Sequence, residues 1–132
     1  CVVSHGTLPA LHLMCVHLGL LERDRQAQIA ALREVIDSEV PPDAPLIVAG
    51  DFNDWRQRAD ARLARIGLSE VFRQTQGRHA CSFPAAWPLL RLDRIYVRGV
   101  ASVRPLPMPR HPWSRLSDHA PLAAEVRLGE AA

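Results

Sequence analysis

Six side chains at the ends of apolar runs have the composition of a hydrolytic centre. His17 follows Leu13-Met14-Cys15-Val16. Asp51 and Asn53 follow Leu46-Ile47-Val48-Ala49-Gly50. Asp93 stands near the start of Leu92-Asp93-Arg94-Ile95-Tyr96-Val97, and Asp118-His119 precede Ala120-Pro121-Leu122. Open sheets place ligands at strand ends, where loops reach out from a rigid base. Each place also has a plain structural reading. A lone His at a strand end is commonly a hydrogen-bonded structural residue. Gly-Asp-x-Asn is ordinary turn composition, and Asp118-His119 suits a capping pair. Asp93 inside an apolar run needs a partner such as Arg94, a His or a cation, because an unpaired buried carboxylate is costly.

Taken together, the two imidazoles, three carboxylates and one carboxamide are a coherent set. Asp51 and Asn53 are two apart, so in extended chain they project to the same side. A hard-oxygen site of Asp and Asn with no well-placed thiol suits Mg²⁺ or Mn²⁺ and not zinc. A zinc hydrolase is further disfavoured because His12 and His17 are five apart with no Glu between them. Phosphodiester hydrolysis asks for a cation on the phosphate, a carboxylate that activates water, and an imidazolium that donates to developing charge.

Short strands and helices must position these groups. Cys1–Ser4 and Leu11–Val16 read as a hairpin around Gly6-Thr7-Leu8-Pro9. From Glu22 to about Val40, Ile29, Leu32, Val35 and Ile36 form an apolar stripe at helical spacing, ended by Pro41-Pro42. Leu46–Gly50 is a continuous apolar run that suits a strand buried on both faces. A second helix is predicted from about Trp55 to Ile66, with Asp54 and Gln57 at capping-box spacing and Gly67 at its end. Further strands are predicted at Glu70–Phe72, Cys81–Phe83, Leu92–Val97, Val100–Leu106 and Ala120–Leu128, with the proline-rich stretch Pro105–Pro112 as a loop. The order is that of an α/β (α+β) protein with antiparallel strands toward the C-terminus.

The 132 residues are one domain's worth of chain, 48% hydrophobic and 23% charged, which is globular and not disordered composition. No apolar run approaches the roughly 18 residues of a membrane-spanning helix. The net charge is only +2, and all 16 basic residues are Arg. That excess makes no general case for a polyanionic partner, although Arg58, Arg56, Arg91, Arg94, Arg110 and Arg115 suit phosphate around a mouth. Trp87 is expected in the core and Trp113 packed in a loop, with a substrate groove as the other role for both and for Trp55. Cys1, Cys15 and Cys81 are too scattered for a disulfide framework, so reduced thiols and a cytoplasmic location are expected, with no secretory signal visible in these residues.

Four motifs in order resemble the endonuclease/exonuclease/phosphatase superfamily, the DNase I-like and exonuclease III-like metal-dependent phosphoesterases. They are His17-Leu18, Gly50-Asp51-Phe52-Asn53, Leu92-Asp93-Arg94-Ile95 and Ser117-Asp118-His119-Ala120-Pro121. The wording between them (His17-Leu18-Gly19-Leu20, Asp54-Trp55-Arg56, and Ser82-Phe83-Pro84 before Leu89-Leu90-Arg91-Leu92) is similar to a bacterial subgroup often encoded beside cardiolipin-synthesis genes. The resemblance implies half of a four-layer α/β sandwich: one mixed sheet with two main helices. It implies that His17 binds and polarises the scissile phosphate. Asp51 would orient or deprotonate the attacking water, or ligate metal. Asn53 would bond a phosphate oxygen or metal, and Asp93 would fix the ring of His119. Asp118 would ligate Mg²⁺ (or Mn²⁺), and His119 would contact the phosphate as base or electrophile.

One departure stands out. The family pattern begins with an Asn-bearing strand and a Gln-Glu segment whose Glu is the principal metal ligand, and neither is here. No Glu precedes His17, and Glu22 lies in the predicted helix. Residues 1–132 are therefore expected to be the C-terminal portion of one domain, its N-terminal half absent. The expected partners are that half, a phosphoester substrate (nucleic acid, phospholipid or small phosphoester), or a second copy pairing through an exposed apolar face. The competing class is a non-catalytic module, inert for want of the metal-binding Glu.

Overall fold

The computed structural model describes residues 1–129. The predicted hairpin forms: β1 (Val2–Val3) pairs antiparallel with β2 (Leu11–His17). Helix α1 (Glu22–Glu39) then crosses over to β3 (Leu46–Asp51), which lies parallel to β2 as such a crossover allows. Two further strands, β4 (Ser69–Glu70) and β5 (Asp93–Arg98), complete a mixed sheet in the order β1-β2-β3-β5-β4. A second sheet pairs β6 (Ser102–Leu106) with β7 (Ala123–Arg127).

Alternation along the strands sorts the core into two layers. Met14, Val16, Leu46, Val48 and Tyr96 share one face with Ile29 and Ile36 of α1 and with Leu63 of α2 (Ala59–Ala64). Ile47, Ile95 and Val97 share the opposite face with Val71 and Phe72 of α3 (Val71–Gln76) and with Val103, Ala124 and Val126 of the small sheet. That second covering is incomplete. On the β2 side of the same face Leu13 and Ala49 stay half-buried and Cys15 is exposed.

Three expectations need correction. The helix over Trp55–Ile66 is only six residues long, because Gln57 takes a left-handed φ of 57°. Asp54 does not make a capping box with Gln57. Its Oδ2 instead accepts from the Ala59 N–H at 2.7 Å, five residues on. The strand over Glu70–Phe72 ends at Glu70 and becomes α3, capped by Glu70 Oε2 accepting from the Arg73 N–H at 2.7 Å and closed by Gly77 at φ 76°. Among the described residues the expected mixed sheet is accompanied by the two-stranded one, and of the helices only α1 is long. Cys81–Phe83 is reduced to a single bridge between Phe83 and Leu90.

A buried polar knot anchors the loop after α3. Asp60 Oδ1 accepts from the Tyr96 hydroxyl at 2.5 Å, and its Oδ2 lies 2.8 Å from His79 Nε2, with Arg73 on the same oxygen. Burial opposes charge on Asp60, but the bonds from His79, Tyr96 and Arg73 outweigh it and hold the carboxyl below its usual range.

Gly50 is required where β2 and β3 meet the site. Its φ is +143°, and a Cβ there would lie 1.9 Å from the Val16 carbonyl oxygen. Gly50→Ala is expected to cost about 3 kcal/mol or more. Urea unfolding followed by circular dichroism reads this as a lower midpoint, and an unchanged midpoint would contradict the close packing.

Candidate active site

The strand register, and not proximity in sequence, assembles the site. His17 pairs with Asp51 across β2 and β3, and Asp51 pairs with Asp93 across β3 and β5. All three therefore stand in one row on one face, at the end of the sheet. His119 arrives from the loop before β7 and sets Nδ1 2.6 Å from Asp93 Oδ2. Its Nε2 lies 3.8 Å from Asp51 Oδ2, which is also 3.5 Å from His17 Nε2. Asp51 Oδ1 is held separately by the Asn53 N–H at 2.8 Å.

All six predicted residues line one cleft of about 910 Å³. They do not play equal parts. Asn53 is not extended from Asp51: its φ is 47°, it is buried, and its Nδ2 donates to the Leu18 carbonyl at 2.7 Å. That bond ties the turn after β3 to the residue following His17. Asp118 is exposed at the rim, and His17 keeps 79% of its side chain exposed. Asp51, Asp93 and His119 offer ligand atoms within 4.8 Å of one another. Asp118, expected with Asp51 and Asn53 as a metal ligand, lies outside that cluster. Mg²⁺ takes one or two carboxylates and completes its shell with water and phosphate oxygens, so this acid-rich, thiol-free donor set fits such an ion. Glu22 is not a substitute for the family's Glu. It accepts from Gln26 at 3.0 Å and pairs with Arg25 and Arg58. The Gln26 bond and these cations together outweigh the opposing effect of burial and hold its carboxyl down at about 2.

The sequence pattern announces neither Ser82 nor Arg94 as a positioning residue. Ser82 is fully buried. Its Oγ accepts from the Asp93 N–H at 3.2 Å, while its carbonyl accepts from the Ala120 N–H at 2.7 Å. One residue thereby sets the spacing between Asp93 and His119. Arg94, expected at the mouth or paired to Asp93, is buried under the site instead. Its guanidinium donates to the carbonyls of Asp93 and Asp54, both at 3.1 Å, and to that of Arg91. It so joins the turn after β3 to the start of β5. Arg91 donates to the His79 carbonyl and Arg110 to that of Ala86. Three of the six arginines expected to read phosphate are therefore committed to backbone, and Arg58 pairs with Glu22. Trp87 is 70% exposed and not in the core, because its loop turns outward.

A family model described as the endonuclease/exonuclease/phosphatase family matches residues 2–119. The chain belongs to this family. Over 128 residues it is 52% identical to the uncharacterized protein YbhP of Escherichia coli K12, covering 96% of this chain and 50% of that protein. The chain thus spans about half the length of the curated relatives it matches. A functionally unknown conserved protein of Enterococcus faecalis superposes with a TM-score of 0.68 at 22% identity, over 91% of this chain and 51% of the other. Truncated Caenorhabditis elegans TDP2 gives 0.68 at 21% identity, over 96% and 57%. These likenesses show a DNase I-like fold, with this chain matching a little over half of each of those two solved chains. No helix among the described residues is long and apolar enough to cross a membrane.

His119 carries the clearest electrostatic signature. Partial burial disfavours its charged ring, but the Asp93 hydrogen bond and the charges of Asp93, Asp51 and Asp118 outweigh this and raise its pKa above the usual histidine value. The stability linked to that charge is complete below the unfolded value near about 6.5 and fades as pH rises through the folded one. In the metal-free protein, nitrogen-detected NMR titration should find His119 titrating above ordinary histidine, and Asp93→Asn should lower it. A midpoint unmoved by Asp93→Asn would overturn the pairing.

Proposed function

We propose that the complete protein is a metal-dependent phosphoesterase whose reaction centre is the cleft of His17, Asp51, Asp93, Asp118 and His119. The observation that carries this reading is the Asp93–His119 pair set against Asp51 within a few ångströms. Asp93 holds the proton on His119 Nδ1 and turns Nε2 toward the cleft. A charged His119 donates through Nε2 to a phosphate oxygen, and His17 binds the same group from the other side. Asp51, fixed by the Asn53 N–H, takes a proton from the attacking water. The water oxygen bonds to phosphorus, the ester P–O bond breaks, and the departing alkoxide is protonated from solvent. A divalent cation (Mg²⁺, or Mn²⁺ in its place) held by Asp51 with Asp93 or Asp118 would supply charge neutralisation on the phosphate. The free thiols of Cys1, Cys15 and Cys81 favour a reducing, cytoplasmic setting.

The 132 residues by themselves support a second reading. No Glu lines the cleft, and the sheet face carrying Leu13, Cys15 and Ala49 is only partly covered. We propose that a further sheet from the same domain covers this face and completes the site, and that the stretch alone is inactive or pairs with a second copy.

In the complete protein, Asp51→Ala and His119→Ala should each lower Mg²⁺-dependent hydrolysis of bis(p-nitrophenyl) phosphate well beyond tenfold, that is by more than about 1.4 kcal/mol in barrier, with thermal unfolding nearly unchanged. Retention of more than about a tenth of the rate counts against the assigned roles. EDTA should abolish turnover and Mg²⁺ restore it. Residues 1–132 expressed alone should show no Mg²⁺-dependent turnover above background, and robust turnover would contradict the incomplete-site reading.

A further inference from the structure

A second cavity, of about 670 Å³, opens beside the candidate active site, between the loops 85–88 and 105–114. Trp113 and Ala120-Pro121-Leu122, directly after His119, line this cavity. They also line a recess that reaches Asp93 and His119. The same four residues thus stand between the two spaces.

The second cavity lacks the carboxylates of the first. Phe72, Trp87, Met108, Trp113, Pro121 and Leu122 are among its lining residues, and no acidic residue lines it. Its one charged lining residue, Arg110, donates to the Ala86 carbonyl at 2.7 Å and ties the two loops together. Around the same loops Trp87, Leu89 and Leu116 are 70%, 62% and 67% exposed, and Leu90, Met108 and Trp113 are exposed as well. An apolar rim of this kind marks a surface that meets something apolar, and Trp in particular favours lipid–water boundaries.

A nucleic acid would need cations tracking its phosphates. Of the arginines expected at the mouth, Arg91 and Arg94 bond backbone carbonyls and Arg58 pairs with Glu22, while Arg56, over the Trp55 ring, and Arg115 are exposed. The cleft with Asp51 and His119 has no Arg in its lining. The surroundings therefore favour a substrate with one phosphate and a neutral, apolar arm over a polyanion.

We infer that the second cavity takes the hydrocarbon arm of a phosphoester whose phosphate lies between Asp51 and His119, so that the substrate is a phospholipid drawn from a lipid–water surface. This inference rests on the phosphoesterase reading above. The apolar rim meets the surface, the chain enters between the two loops, and the shared wall sets the distance from chain to phosphate.

The test uses the complete protein with Mg²⁺ and three probes: diheptanoylphosphatidylglycerol on either side of its critical micelle concentration, bis(p-nitrophenyl) phosphate, and a single-stranded oligonucleotide. Phospholipid hydrolysis should rise steeply once micelles form. Met108→Asp, in the cavity wall, should lower kcat/KM for the phospholipid by about tenfold or more and leave bis(p-nitrophenyl) phosphate unaffected. Trp87→Ser, on the exposed rim, should do the same to a smaller extent and provides the check if Met108→Asp folds poorly. Hydrolysis of the soluble diester with no response of the phospholipid rate to micelles or to either variant overturns the inference alone. So does faster cleavage of the oligonucleotide than of the phospholipid. Failure to hydrolyse any of the three overturns the phosphoesterase reading and this inference together.

Discussion

The site depends on one constraint: the register that sets His17, Asp51 and Asp93 abreast on three neighbouring strands. Side chains alternate with a strict period of two, so a slip of one residue in either pairing would send one of the three to the opposite face, among Met14, Val48 and Tyr96. Gly50 permits that register by letting β3 approach the Val16 carbonyl more closely than any side chain would allow. The row of polar groups at the strand ends is then the edge of a surface whose interior positions are apolar. Function sits where the hydrophobic pattern stops.

The remaining polar groups near the site are held by backbone and not by one another. Ser82 links the Asp93 N–H to the chain just after His119. Arg94 gathers carbonyls from the segments either side of the cleft floor, and Asn53 reaches the carbonyl of Leu18. Buried polar atoms left without partners are costly, so these bonds serve stability and geometry at once. They leave Asp51 Oδ2 and His119 Nε2 as the atoms free to face a substrate.

Much of this was legible in the sequence because the chemistry and the hydrophobic pattern coincide. Apolar runs ending in Asp51 or opening at Asp93 announce strand ends, and the long stripe of Ile29, Leu32 and Ile36 announces α1. The misreadings share a physical origin. Val71-Phe72 has strand composition, but Glu70 caps and Gly77 closes a helix there, and local capping outweighed β propensity. Asn53 and Gln57 adopt left-handed conformations that no periodicity announces. Arg94 looks like a surface cation beside a carboxylate. Only the three-dimensional course of the chain reveals carbonyls from distant segments converging on its guanidinium.

The small sheet of β6 and β7 is hydrogen-bonded to no other strand among the described residues, so each of its strands has an outer edge. The two edges are not equivalent. Pro105 removes one amide donor from β6, whereas Ala123–Arg127 of β7 keeps a full set. Two strands alone are marginal in water, and an intact ladder with small side chains at Ala123 and Ala124 is a template for strand addition. With its full set of amides, β7 is the strand better suited to accept a further one, and the same edge is open to stacking between copies.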